Sequence, residues 1–209
     1  MTHPSSSALL ALHAVRLTGM ADTAAVAERF SLDDASAEED LLDAQAFGWV
    51  AWAEFAGTGG WSLTEAGRME NERQLAAELE RVEDGVAMLR KEYEQFLPMN
   101  ERLLRACTDW QIRPGSTDPM AANDHRDPQW DERVLEELIA LGELLQSLSG
   151  RLASVLSRFR GYDARFAAAL ERVAAGDPFW VNGTGKDSCH TVWFELHEDL
   201  VATLGLERG

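Results

Sequence analysis

Lysine and arginine are missing altogether from residues 30–67, a stretch that carries eight acidic side chains. The whole chain of 209 residues has 19 basic and 36 acidic residues, which gives a formal net charge of −17. Nucleic acids and anionic membranes are bound mainly through lysine and arginine. This deficit therefore argues against either surface as the main partner.

Cysteine is also scarce, since the chain has only Cys107 and Cys189. Both lie on apolar faces of predicted helices, which favours small core residues in a reducing compartment over a disulfide. The N-terminal apolar run at 8–17 is short and is interrupted by His13 and Arg16. It fits neither a signal peptide nor a membrane span, so we predict a cytoplasmic protein without a membrane partner.

Apolar spacing in the first third of the chain predicts three short helices followed by a β-hairpin. The predicted elements are helices at 6–18, 22–30 and 35–47 and strands at 49–55 and 61–63. Gly19 and Gly48 mark the ends of the first and third helices. A glycine-rich turn separates the two strands. This order of elements predicts a winged helix-turn-helix domain over residues 1–66.

The same elements, together with the run WSLTEAGR from Trp61 to Arg68, resemble the DNA-binding domain of bacterial regulators of the MarR and PadR families. The resemblance implies that the helix from Ala35 to Phe47 enters the major groove and that the wing tip, Ala56 to Gly60, contacts phosphate. Neither segment carries a basic residue, and DNA would repel a helix of this charge. We therefore expect a regulator-like scaffold in which the charge argues against direct DNA binding.

Beyond the hairpin, apolar residues recur at alternating steps of four and three from Leu75 to Phe96. This heptad pattern predicts one long connecting helix over residues 67–97, which ends at Pro98. The helix either joins two chains in a homodimer, which is our prediction, or packs on the chain's own bundle. Residues 98–209 are predicted to form a helical bundle that binds a ligand or catalyses a reaction, so the fold class is mainly α.

The stretch from Ser188 to Leu204 predicts a helix that is buried on one broad face. At 3.6 residues per turn, His190 and His197 fall within this apolar arc. Its other members are Cys189, Val192, Trp193, Phe194, Leu196, Leu200, Val201 and Leu204. The opposite, outward strip is predicted to carry Thr191, Glu195, Glu198 and Asp199. Buried imidazoles need hydrogen-bonding partners, so both histidines are candidates for a site as well as for core packing.

Residues 112–130 contain three prolines and show no periodicity. A loop of this length inside a compact domain is uncommon and is usually either functional or disordered. Its polar and aromatic side chains include Arg113, Asn123, Asp124, His125, Asp127 and Trp130. The preceding helix, predicted over residues 99–111, contributes Trp110 and two amides that are expected to point inward, Asn100 and Gln111.

A second resemblance covers this half of the chain. The runs TDWQIRP, NDHRDPQWD and DSCHTVWFELHEDL, within residues 96–206, resemble an uncharacterised helical module that accompanies winged helices in bacteria. Some proteins with this module are MarR-like regulators, and others carry it attached to phosphoenolpyruvate-utilising enzymes. The position before His190 is aromatic in such relatives and is Cys189 here.

Three functions remain open at this point. The first is a small-molecule pocket, because tryptophans cluster with a few polar groups around the irregular loops. Its predicted ligand-binding residues are Asn100, Trp110, Gln111, Arg113, Asn123, Asp124, Trp130, Trp193 and Glu195. The second is an enzyme in which His125, Asp127, His190 and His197 transfer protons. The third is an acidic module that contacts a partner protein.

Metal and cofactor sites find little support in the residue spacing. His190 and His197 are separated by about 10.5 Å along a helix axis, too far to share one ion easily. The chain has no HExxH sequence and no dinucleotide-binding fingerprint. We therefore predict neither a metal nor a cofactor.

Overall fold

A computed structural model of the protein describes residues 3–55, 57–115, 118–184 and 187–206. In these residues the protein is mainly helical, with one two-stranded antiparallel sheet. The α-helices are α1 (Ser7–Thr18), α2 (Thr23–Phe30), α3 (Asp34–Ala46), α4 (Glu65–Leu79), α5 (Gly85–Gln111), α6 (Pro128–Val155), α7 (Tyr162–Ala174) and α8 (Cys189–Leu204). The strands are β1 (Val50–Phe55) and β2 (Thr58–Leu63), and short 3₁₀ helices lie at Ser157–Phe159 and Pro178–Trp180. None of the described helices combines the length and the apolar character needed to cross a membrane.

The chain divides into two compact units. The first unit consists of residues 1–89, 154–158 and 197–209, and the second consists of residues 90–153 and 159–196. The helices α5, α6 and α8 therefore contribute residues to both units.

In the first unit, α1, α2, α3 and the hairpin enclose a shared apolar core that includes Leu12, Val26, Leu41 and Trp61. The helices begin where short polar side chains accept a hydrogen bond from the backbone of the first turn, at Ser6, Asp22 and Asp33. The predicted three helices and antiparallel hairpin are thus confirmed as elements. Ala56, at the predicted wing tip, lies outside the described residues.

The single helix predicted over residues 67–97 is wrong. The helix α4 ends at Leu79 and α5 begins at Gly85, because Asp84 adopts a left-handed backbone with φ of 54°. The predicted stop at Pro98 is also wrong, since α5 continues through it. A proline inside a helix costs about 3 kcal/mol. Burial of the neighbouring Phe96 and Met99 on the inner face of α5 offsets this loss.

In the second unit, α6 carries an apolar seam of leucines at helical spacing. Its inner positions are all fully buried: Leu138, Leu141, Leu145, Leu148 and Leu152. The helix starts at Pro128, whose fixed φ suits the first helical position. Gly150 is exposed and does not interrupt it.

The apolar side predicted for α8 is confirmed, since its members are all buried: Cys189, Val192, Trp193, Leu196, Leu200, Val201 and Leu204. The placement predicted for the histidines, for Phe194 and for the acidic residues is wrong. The outer strip of α8 contains His190 and His197, which are half-buried, and Phe194, whose side chain is 52% exposed. The acidic residues expected on the outside are buried instead: Glu195, Glu198 and Asp199. Each of these carboxylates pairs with an arginine, which compensates for its removal from water. Apolar periodicity cannot detect a buried side of this kind.

Candidate functional site

The described residues of the irregular loop between α5 and α6 pair with each other across the loop. Ile112 and Ala122 form an isolated antiparallel bridge. The backbone N–H of Arg113 donates to the carbonyl of Ala121 at 2.9 Å. Ser116 and Thr117, between these paired segments, lie outside the described residues. The pairing brings residues from both ends of the loop next to the end of α5 and the start of α6.

Asn123 connects these segments. Its side-chain N–H₂ donates to the carbonyl of Trp110 at 3.1 Å and to Oδ1 of Asp131 at 2.8 Å. Its Oδ1 accepts from the backbone N–H of His125 at 3.1 Å. Its own N–H donates to the carbonyl of Gln111 at 2.8 Å. One amide side chain therefore holds the loop against both helices.

His125 lies at the centre of the loop. Its Nδ1 is 3.0 Å from Oδ2 of Asp131, and its ring centroid is 4.7 Å from that of Trp110. The side chain remains 39% exposed. The backbone of His125 is left-handed, with φ of 54°, a strained state for a non-glycine residue. Such strain is concentrated at functional sites.

A second pair of charges joins the two ends of the loop. Arg113 Nη2 donates to Oδ2 of Asp127 at 2.5 Å. Oδ1 of Asp127 accepts from the backbone N–H of Gln129 at 3.1 Å, which satisfies a free donor at the start of α6. The indole N–H of Trp130 donates to the carbonyl of Asp109 at 2.6 Å. The ring of Trp130 is therefore fixed in orientation.

An open pocket of about 490 Å³ lies at the start of α6. It is lined by Asp127, Gln129, Trp130, Glu132, Arg133 and Glu136. The guanidinium carbon of Arg133 is 4.5 Å from the centroid of the Trp130 ring, and that of Arg113 is 6.0 Å away. Among the described residues, neither Glu132 nor Glu136 forms an ion pair. The pocket thus combines an aromatic face with carboxylates.

We define the loop cluster as Trp110, Arg113, Asn123, His125, Asp127, Trp130 and Asp131. All but Asp131 were predicted site residues. Asp131 and the neighbouring Arg133 were missed because the predicted loop ended at Trp130 and the next helix was treated as packing alone. Their position in the sequence could have identified them, because side chains in the first turn of a helix that follows a polar loop point back toward that loop. Asp124, also predicted, is exposed and pairs only locally, with Arg126.

The predicted residues near the middle of the second unit have core contacts. Trp193 is 1% exposed and its ring lies 5.3 Å from Phe96 and 5.7 Å from Phe166. Its indole N–H donates to Oδ1 of Asn100 at 3.1 Å. The inward orientation predicted for Gln111 is wrong, because this side chain is exposed at the end of α5.

Glu195 is part of a separate ion-pair cluster. Arg165 donates to Glu195 at 2.7 Å and, through two nitrogens, to Asp187 at 2.6 and 2.7 Å. Burial alone would lower the pKa of Arg165, but the hydrogen bonds with both carboxylates outweigh it and raise that pKa. Glu195 is therefore occupied by an internal cation. His190 contributes a backbone contact, since its N–H donates to Val181 at 3.0 Å.

The first unit holds a buried polar network that the sequence did not reveal. His13 Nε2 lies 3.1 Å from Oδ1 of Asp199, and His13 Nδ1 lies 3.2 Å from Oδ1 of Asn71. Arg158 contacts the same Asp199 carboxylate and donates to Glu78 at 3.2 Å. Burial alone would raise the pKa of Asp199, but Arg158 and His13 hold it below its ordinary value. The signal in the sequence was His13 itself, a polar residue inside an apolar run.

No group of three or more histidine, cysteine, aspartate or glutamate side chains in the described part of the chain is arranged to hold a metal ion. Comparisons with protein-family models, with curated proteins and with solved structures gave no match to this chain.

Proposed function

We propose that this chain is a regulator-type protein of the MarR and PadR kind, with a winged helix-turn-helix in its first unit and a small-molecule site in the loop cluster of its second. The order of α1, α2, α3 and the hairpin supports the first part of this proposal. The negative charge of α3 distinguishes it from helices that bind in the major groove of DNA, which carry basic residues. Recognition of a small molecule is therefore the central activity that we assign.

The observation that carries the proposal is the open pocket at the start of α6, which shares two lining residues, Asp127 and Trp130, with the loop cluster. His125 keeps a strained backbone although glycine would adopt the same conformation without strain. Asn123 accepts from the backbone N–H of His125, and Asp131 contacts its ring. The left-handed backbone also occurs at Asp84, where it only separates two helices, so the polar framework around His125 is the feature that favours a site.

The pocket lining favours a ligand that is cationic and partly apolar. Tryptophan is the aromatic side chain that attracts cations most strongly. The ring of Trp130 already holds the guanidinium of Arg133 on its face. Asp127, Glu132 and Glu136 surround it with carboxylates. An organic cation would replace Arg133 on the ring and would be neutralised by these carboxylates.

The experiment is a titration of the protein with quaternary ammonium and guanidinium compounds, followed by tryptophan fluorescence. Binding through the pocket requires Trp130, so Trp130→Leu should abolish the response that wild type gives. The matched control is Trp180→Leu, since Trp180 also lies beneath an arginine, Arg172, at 5.7 Å. An equal loss of response in both variants, or no response in wild type, would refute the proposed site.

An enzymatic function remains the second candidate because of one contact. The carboxylate of Asp131 orients His125 through Nδ1 and leaves Nε2 as the nitrogen that could exchange a proton with a bound molecule. Proton magnetic resonance of any bound compound distinguishes the two functions. A recognition site releases the compound unchanged. An enzyme converts it, and His125→Asn stops the conversion while binding through Trp130 continues.

A further inference from the structure

The outer face of α3 has no partner within the described residues. Its inner positions, Ala37, Leu41 and Ala44, are buried in the core of the first unit. The opposite face is exposed and carries Glu38, Glu39, Leu42 and Asp43. Phe47 follows at the end of the helix. We call these five exposed residues the α3 face.

The acidic side chains of the α3 face are not used inside the protein. None of them forms an ion pair with a described residue. Glu39 and Asp43 are four positions apart and therefore repel each other. Asp43 also lies in the last turn of α3, near the negative end of the helix dipole, and this turn has no basic residue. The repulsion between these carboxylates destabilises α3 in the free protein, and a bound cation would reduce this repulsion.

Large apolar side chains accompany these charges. Leu42 is 51% exposed and lies between the carboxylates, and Phe47 is 67% exposed. The ring of Phe47 is held by stacking on Trp49, with centroids 4.7 Å apart. The α3 face therefore presents fixed apolar contacts within a field of negative charge.

We propose that the α3 face docks a basic amphipathic helix of a partner protein. Lysine or arginine side chains of the partner pair with Glu38, Glu39 and Asp43, and its apolar stripe covers Leu42 and Phe47. Nucleic acid does not fit, because phosphates would meet carboxylates. A second copy that docked through the same face does not fit either, because its carboxylates would meet those of the first copy.

The test uses a fluorescein-labelled synthetic helix of about 18 residues with leucine along one side and lysine along the other. Its affinity for the whole chain is measured by fluorescence anisotropy at about 0.15 M salt. We expect Leu42→Ser to weaken binding by about tenfold although it leaves every charge in place. The double variant Glu38→Gln with Glu39→Gln should weaken binding by a similar factor of about ten.

Matched controls come from α6, where Glu143 lies beside Leu144, which is 43% exposed. Leu144→Ser and Glu143→Gln should leave binding unchanged. Circular dichroism of each variant establishes that the helices are intact. Equal binding by wild type and Leu42→Ser would mean that the peptide senses only net charge, and this result overturns the proposal. Absence of peptide binding overturns it too, as does a duplex DNA that binds and displaces the peptide.

Discussion

Nε2 of His13 lies 3.1 Å from Oδ1 of Asp199, and both side chains are fully buried. Arg158 contacts the same carboxylate and also donates to Thr203 at 2.7 Å. Within the first unit, these contacts join α1, α8 and the 3₁₀ helix after α6. The carboxylate of Asp199 is the point at which the network is held together.

The first prediction concerns the stability of this network. Asp199→Asn removes the negative charge but leaves Arg158 buried, so the free energy of unfolding should fall by about 3 to 5 kcal/mol. Urea denaturation followed by circular dichroism measures the change. Glu38→Gln serves as the control, because loss of an exposed carboxylate should change stability by less than about 0.5 kcal/mol. If Asp199→Asn unfolds at the same urea concentration as wild type, the network has no structural role.

The second prediction concerns the loss of stability at acidic pH. The pKa of Asp199 is lowered from its ordinary value of 3.8, so its stabilising charge is fully present above that pH and is lost as the pH falls below it. One such group contributes at most about 1.4 kcal/mol per pH unit to the slope. Unfolding free energies measured below about pH 4 should therefore fall more steeply for wild type than for Asp199→Asn. Parallel curves for the two proteins would contradict this assignment.

The third prediction concerns the two thiols. Burial raises the pKa of Cys107 to about 12. The pKa of Cys189 is also raised to about 12, mainly by burial and to a smaller extent by the charge of the nearby Cys107 thiolate. At about pH 8 only about one thiol in ten thousand is then ionised, so neither should react with Ellman's reagent in the folded protein. Both should react once the protein is unfolded in guanidinium chloride. Rapid reaction of either thiol in the native protein would contradict its burial.

The fourth prediction concerns the backbone of His125. Glycine adopts a left-handed conformation freely, whereas alanine pays about 1 kcal/mol for it. His125→Gly should therefore be more stable than His125→Ala by about that amount, about 1 kcal/mol, in urea denaturation. Both variants lose the imidazole equally, so their difference isolates the backbone. Equal stability of the two variants would mean that residue 125 is not held in the left-handed conformation.

The sequence predicts elements whose signals are local. The helices predicted at 6–18, 22–30 and 35–47 agree with α1, α2 and α3 to within one residue at each end. Most members of the loop cluster were predicted for a similar reason, because they are close in the chain. The pairing of His125 with Asp131 and of Arg113 with Asp127 was not predicted. The break before α5 was missed because the left-handed turn at Asp84 interrupts a heptad pattern that continues on both sides.

The burial of the acidic residues of α8 could not be predicted from this helix alone. Glu198 is buried because it meets Arg16, which is 182 positions away in the chain. Asp199 is buried because it meets His13 and Arg158. Hydrophobic periodicity places charged residues outside unless their partners are known, and these partners come from distant segments. The winged-helix identity and the ligand site rest on the proposals above.

The most direct test of the proposed ligand site is the removal of Arg133. This side chain occupies the face of Trp130 at 4.5 Å and competes with any cationic ligand. Isothermal titration with tetraethylammonium or phenylguanidinium should show that Arg133→Ala binds about tenfold more tightly than wild type. Arg172→Ala, which uncovers Trp180 in the same way, should bind as wild type does. If removal of Arg133 leaves the affinity unchanged or weakens it, Trp130 is not the site of a cationic ligand.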